Sequence, residues 1–270
     1  MISLPRTVGT IGGGNMAEAI LQGLVKSGYE AGQLSASDPV AERREHLARK
    51  LGVHTTDSNL ELVEGCEVVV LAVKPQHLEA ALDPLPRDDG PLYLSIAAGV
   101  TLATLRGWLG RDARVARAMP NTPALIGAGI TALASDADLS PEDLERAEGI
   151  LAAVGDVVRV PERLLDAVTG LSGSGPAYVY LFIEALCEAG IREGLPTPVA
   201  HDLAVQTVPG AASMVRETGE PPALLRERVT SPGGTTAAGL AVLEELGLRE
   251  ALRAAVEAAT ERSRKLARDA

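Results

Sequence analysis

The chain has 270 residues, 46% of them hydrophobic and 23% charged, with 28 Gly, 17 Pro and 2 Cys. That apolar fraction is enough for the core of one large domain or two ordinary ones, which excludes a disordered or collagen-like chain. A formal charge of −11, from 25 Lys plus Arg against 36 Asp plus Glu, repels a polyphosphate backbone; with no dense basic stripe, no nucleic-acid partner is expected.

Cys66 and Cys187 lie far apart inside apolar segments and form neither a CxxC metal pair nor a disulfide framework, so a cytoplasmic location is expected. The opening run MISLPRTVGTIGGGNM lacks the apolar core of a signal peptide. No stretch of about 18 residues is apolar without a charge or a breaker, so no membrane span is expected.

In chain order, short β-branched runs predict strands over residues 7–11, 33–37, 68–73, 92–96, 114–119, 129–133 and 157–160, with helix-like stretches between several of them. Such alternation implies βαβ crossovers and a parallel sheet covered on both faces, an α/β fold. At its start, a short apolar strand runs into Gly12-Gly13-Gly14-Asn15-Met16-Ala17, a G-x-G-x-x-A loop, and then into a helical pattern. Gly12 permits the tight turn and Gly14 lets the main chain approach a pyrophosphate. The small Ala17 allows close helix-on-strand packing, and the helix N-terminus faces the anion.

The end of the second strand reports which dinucleotide is bound. Asp38 lies about where an acidic residue bonds the ribose of NAD. Ser35, Ser37, Arg43 and Arg44 offer hydroxyls and charge for the 2′-phosphate of NADP instead. The corner leans to NADPH, with NADH left open.

After Pro161 the chain turns to Ala, Leu, Glu and Arg at helical spacing, broken by GLSGSGP, GLPTP, GEPP and SPGGTT. The boundary is placed there: a dinucleotide-binding domain over 1–161 and a helical domain over 162–270. Leu248, Leu252, Ala255, Val256 and Ala259 share one face of the last helix, and the helix after Pro176 is too apolar for a half-exposed position. A domain this small buries so much aliphatic surface only with help, so a homodimer through it is expected, with a higher homo-oligomer built on it.

In the helical domain, Ser231-Pro232-Gly233-Gly234-Thr235-Thr236 opens a helix with amides and hydroxyls and no charged side chain, a receptor for a carboxylate or phosphate. GLSGSGPAY, over 170–178, also precedes a helix, with Ser172 and Ser174 as caps. His46, His54, His77 and His201 show no ligand spacing, so no metal is expected. Neither the GLSGSGP nor the SPGGTT loop contains Lys, His, Asp or Glu to act as a base. An alcohol dehydrogenase needs such a group, whereas hydride addition to a protonated C=N bond does not.

Six motifs in order now identify a family. TVGTIGGGNMAEAI, LAVKPQ, SIAAGV, RAMPNTPA, GLSGSGPAYVY and VTSPGGTTAAGL make the chain resemble pyrroline-5-carboxylate reductase over essentially its whole length. The resemblance implies a Rossmann domain, a helical dimerisation domain, and reduction of L-1-pyrroline-5-carboxylate to L-proline by NADPH or NADH. It places Gly12, Gly13, Gly14, Asn15 and Met16 on the pyrophosphate, Ser37 at the 2′-phosphate and Asn59 on the adenosine side. Ala72, Val73, Lys74 and Pro75 line the path to the nicotinamide, Ala97 and Ala98 lie beside the ring, and Asn121 sits near the carboxamide. The substrate carboxylate, that of a cyclic imino acid, meets Ser231, Gly233, Gly234, Thr235 and Thr236, and Thr236 is the candidate catalytic contact to the ring nitrogen. The substrate pocket is expected to draw on helices of a neighbouring subunit.

The chain departs from some family members at Arg228, where they carry Asn, and at Gly219, where they carry Glu. A dehydrogenase of the 3-hydroxyacid type has a similar plan but normally carries a Lys in the first helix of the second domain; residues 176–190 contain none.

Overall fold

The computed structural model describes residues 5–87, 90–135 and 138–269. They form two compact units: one runs to Ser174 and takes in the chain again from Glu257, and the other is Gly175–Val256.

The first unit is built on an eight-stranded sheet of β1 (Val8–Ile11), β2 (Leu34–Ser37), β3 (His54–Thr56), β4 (Val68–Leu71), β5 (Leu92–Ser95), β6 (Val115–Met119), β7 (Gly129–Ala134) and β8 (Gly155–Arg159). Their order is β3-β2-β1-β4-β5-β6-β7-β8. Period-two alternation splits the strands between two cores. Val68 and Val70 of β4, with Leu92 and Leu94 of β5, pack on one side against α1 (Asn15–Lys26), α2 (Ala41–Leu51) and α6 (Pro141–Ala152) through Ile20, Leu47 and Ile150. Val69, Leu71 and Tyr93 pack on the other against α3 (Asn59–Glu64), α4 (Pro75–Leu82) and α5 (Leu102–Leu109) through Leu62, Leu78 and Leu105. Both faces are covered, which is why the central strands read as continuous apolar runs.

Two features differ from the sequence expectation. The strand β3 is a three-residue edge strand, His-Thr-Thr, paired only with β2; it is too short and polar to register as a strand by pattern. The sheet is not wholly parallel, because β6 and β7 run antiparallel. Residues 120–128 between them fold as a 3₁₀ turn, Thr122–Ile126, and are too few for a helical crossover of about a dozen residues. The two compact units divide after Ser174. Leu165, on α7 (Leu165–Val168), is buried with Ala132 and Ala134 of β7, which ties the segment after Pro161 to the sheet.

The second unit holds α8 (Gly175–Arg192), α9 (Thr197–Thr218), α10 (Pro222–Arg228), α11 (Thr235–Glu245) and the beginning of α12 (Leu248–Asp269). Helices α8 and α9 approach where Gly190 faces the Ala200 side chain. Within this unit Ala200 and Ala204 are the buried residues, while Tyr180, Leu181 and Leu246 are 61%, 65% and 77% exposed. A single copy of these helices therefore has almost no core of its own. Among the described residues no helix is long and apolar enough to cross a membrane.

Candidate active site

The sheet order from β3 to β6 is 3-2-1-4-5-6, so the strand order reverses between β1 and β4. In open α/β sheets ligands bind outside the carboxyl ends of the strands at this switch point. Gly12 stands at that point. Its φ of +93° is left-handed, its amide donates to Ser37 O at 2.8 Å, and a Cβ there would lie 2.9 Å from the carbonyl oxygen of Ala72. The strand ends leave no room for any other residue. Gly14 is different: its φ is −66°, and a Cβ would meet nothing within 4 Å. As N-cap of α1 it has no side-chain cap, so the helix opens on bare amides and a positive dipole end. This cradle fits a pyrophosphate.

The residues expected around a dinucleotide, scattered over more than a hundred positions, are gathered by the fold at one edge of the sheet. Gly12 to Met16 follow β1, Ser37 ends β2, Ala72 to Pro75 follow β4, Ala97 and Ala98 follow β5, and Asn121 follows β6. Asn59 opens α3 and its Oδ1 accepts a hydrogen bond from Ser37 Oγ at 2.7 Å, while its Nδ2 donates to Ala81 O at 2.9 Å. Lys74 is the exposed N-cap of α4, with Pro75 in that helix's first turn. Asn121 bridges β7 and the turn before the second unit: its Oδ1 accepts from Ile130 N at 3.0 Å and its Nδ2 donates to Ser172 Oγ at 3.3 Å. Ser172 thus lies in a π-helical turn, Thr169–Gly173, as a partner of Asn121.

Asp38 proves to be a brace for the glycine loop. Its Oδ2 accepts from Gly13 N at 2.8 Å and its Oδ1 from Val40 N at 2.9 Å, so both oxygens are engaged by backbone amides. Neither points freely at a ribose. Arg43 is engaged as well, donating to Gly13 O and to Glu18. Arg44 curls over the end of β2, donating to Asp38 O at 2.7 Å and Pro39 O at 3.1 Å. Behind the loop, Glu18 in the first turn of α1 also accepts from Lys50 at 2.8 Å and His46 at 3.1 Å. Burial alone would push its carboxyl up, but the bonds from Lys50, His46 and Arg43 outweigh that and hold it down at about 2. Glu18 therefore stays ionised at any ordinary pH and keeps α1 and α2 clamped together.

In the second unit, Ser231 to Gly234 turn into α11 with Gly233 at φ +70°. Gly234 N donates to Ser231 O at 3.0 Å, and Gly234 caps α11 without a side-chain bond. Here too the helix opens on bare amides, with Ser231 and Thr235 exposed and Thr236 half-buried beside them. The divergent Arg228 forms a bidentate pair with Glu220, at 2.5 and 2.7 Å, that fastens the two ends of α10 ahead of this turn. Pairing across eight residues carries no local sequence signal. Among the described residues no group of three or more His, Cys, Asp or Glu is able to hold a metal ion.

A switch point with a bare helix N-terminus is the plan of a dinucleotide-binding fold. Residues 7–99 match the family model described as NADP oxidoreductase, coenzyme F420-dependent, and residues 162–266 match the model for pyrroline-5-carboxylate reductase dimerisation. The chain belongs to the pyrroline-5-carboxylate reductase family. It is 48% identical to the pyrroline-5-carboxylate reductase of Synechocystis sp., over 96% of this chain and 97% of that one. Its fold is similar to that of the Coxiella burnetii pyrroline-5-carboxylate reductase, with a TM-score of 0.87 and 40% identity over 97% of this chain and 98% of the other. The Plasmodium falciparum pyrroline carboxylate reductase, solved with NADP bound, is similar at a TM-score of 0.87 and 31% identity, over 99% of each chain.

Proposed function

We propose that the chain reduces the C=N bond of L-1-pyrroline-5-carboxylate to L-proline, with NADPH preferred to NADH. The reduced dinucleotide, when bound, supplies the hydride that goes to C5 of the ring. The observation that carries the reading is the pair of uncapped helix N-termini, at Gly14 and at Gly234, each able to take an anion, the second with no acidic side chain in its first turn.

Gly12 to Met16 receive the pyrophosphate, Gly12 and Gly13 as the turn and Gly14 to Met16 through their amides, and Ser37 and Asn59 form the adenosine corner. Ala72 to Pro75, Ala97, Ala98 and Asn121 line the way to the nicotinamide. At the second terminus, the amides and hydroxyls of Ser231, Gly233, Gly234, Thr235 and Thr236 receive the substrate carboxylate and orient the ring. Thr236 Oγ bonds the ring nitrogen. A protonated imine becomes a neutral amine on receiving hydride, so no residue has to remove a proton, which agrees with the uncharged loop.

The engagement of Asp38 by Gly13 and Val40 favours NADPH, because a ribose-binding carboxylate is the usual mark of NAD selectivity. Oxidation of NADPH and of NADH, followed separately with the imine, is expected to give kcat/KM at least about tenfold higher for NADPH, the difference made by one or two charge-assisted hydrogen bonds. Failure of both cofactors to be oxidised would defeat the reading.

Changing Thr236 to Ala is expected to lower kcat by about tenfold or more, the cost of one hydrogen bond made at the reacting nitrogen. The Kd for NADPH should not move. Wild-type steady-state constants in this variant would remove Thr236 from the mechanism. The active form is a cytoplasmic homodimer joined through the helical unit, in which a neighbouring subunit's helices complete the substrate pocket.

A further inference from the structure

Glu162 lies in neither anion site, yet one of its carboxylate oxygens holds two segments that border the first. Its Oε1 accepts from the backbone amide of Leu102 at 2.7 Å and from Nη1 of Arg117, also at 2.7 Å. Leu102 opens α5, so its amide is one of that helix's unpaired donors, and a carboxylate there also meets the positive end of the dipole. The Arg117 side chain is only 8% exposed. A guanidinium so far from water requires a counter-charge, and Glu162 supplies it.

The loop that ends at Leu102 carries Ala97 and Ala98, and Arg117 sits on β6 just ahead of Asn121. A second brace reaches the same loop. Gly99 has φ +80°, and a Cβ there would fall 3.1 Å from Ala267 N and 3.3 Å from Leu266 Cβ, so the last turns of α12 lie directly on it. Ser263 of α12, 2% exposed, donates to Asp166 Oδ1 at 2.7 Å, and Asp166 is on α7, immediately after the turn that Glu162 opens. Glu162 and the last turns of α12 thus both reach this loop from within the first unit.

We infer that Glu162 is a positioning residue for hydride transfer: by tying Leu102 to Arg117 it sets the 96–101 loop and the end of β6 at the spacing that seats the nicotinamide ring. The inference rests on the proposed reductase activity. Glu162 acts through the loop, so it governs the nicotinamide half of the cofactor and leaves the adenosine half, at Ser37 and Asn59, alone. Reaction needs the reacting atoms about 3–3.5 Å apart, and a misplacement of about 1 Å costs on the order of a hundredfold.

The test compares Glu162→Ala and Glu162→Gln with the wild type. In Glu162→Ala kcat is expected to fall about ten- to a hundredfold, with KM for the imine and the affinity for adenosine 2′,5′-bisphosphate, a probe without nicotinamide, within about twofold. The fluorescence of bound NADPH should shift toward that of the free cofactor. Glu162→Gln keeps an acceptor for Leu102 N and should recover part of kcat; if the Ala variant does not fold, this variant is judged alone, by lowered kcat with unchanged probe affinity. Wild-type kcat and fluorescence, or loss of probe binding in proportion to kcat, would overturn the inference. The fluorescence arm needs no imine. A wild type inactive on the imine would defeat the reductase reading, while the Ala variant's fluorescence would still decide the brace.

Discussion

Replacing Gly12 by Ala is expected to raise the Kd for NADPH by about a hundredfold or more and to lower the stability of the first unit. Two costs combine. An L-residue held in the left-handed region costs about 1–2 kcal/mol, and at φ +93° the new Cβ would lie 2.9 Å from the Ala72 carbonyl oxygen, a backbone atom fixed at the end of β4. The loop has to shift, and the amides that cradle the pyrophosphate shift with it. A total on the order of 3 kcal/mol corresponds to that hundredfold. Gly14→Ala separates stability from binding. Its Cβ enters open space at an ordinary φ, so the melting temperature should hold while NADPH affinity falls, because the methyl occupies the approach to the pyrophosphate. Titration of both variants with NADPH, beside thermal melts, checks the pair. Undiminished affinity in Gly14→Ala would show that the dinucleotide binds elsewhere.

The second large effect lies in the helical unit. Leu181, on α8 and 65% exposed in one copy, belongs to a unit whose buried residues are Ala200 and Ala204. If a second copy supplies the missing core, Leu181→Asp places an unpaired carboxylate in that interface at a cost of several kcal/mol. The dimer should dissociate, and helical content should fall with it, because helices without a core are marginal in water. Size-exclusion chromatography with light scattering, together with far-ultraviolet circular dichroism, reads both. Arg192→Ala, at a side chain 80% exposed at the end of the same helix, should leave both unchanged. A folded, active monomer of Leu181→Asp would refute the shared core.

The glycine turn, the strand runs and the uncapped SPGGTT helix could be read along the chain because each depends on neighbours within a few residues. The family followed from the order of six such local motifs. The strand β3 escaped because three polar residues carry no period, and the antiparallel turn of β7 because strand direction is set by what the connecting segment is able to span. Asp38 shows the limit most clearly. Its position suggested a ribose ligand, yet its oxygens face Gly13 and Val40, a choice made by where the glycine loop comes to rest.

By itself, then, the sequence determined the α/β plan, the two glycine-rich helix starts and the lack of Lys, His, Asp or Glu in the SPGGTT turn, since these follow from local backbone freedom and residue chemistry. Only the tertiary structure decided which charged groups meet: Glu18 with Arg43, His46 and Lys50, Glu220 with Arg228, and Glu162 with both Arg117 and the start of α5. The energy of such a pair depends on burial and on the distance between its two groups, and these quantities exist only once the elements that carry them have packed.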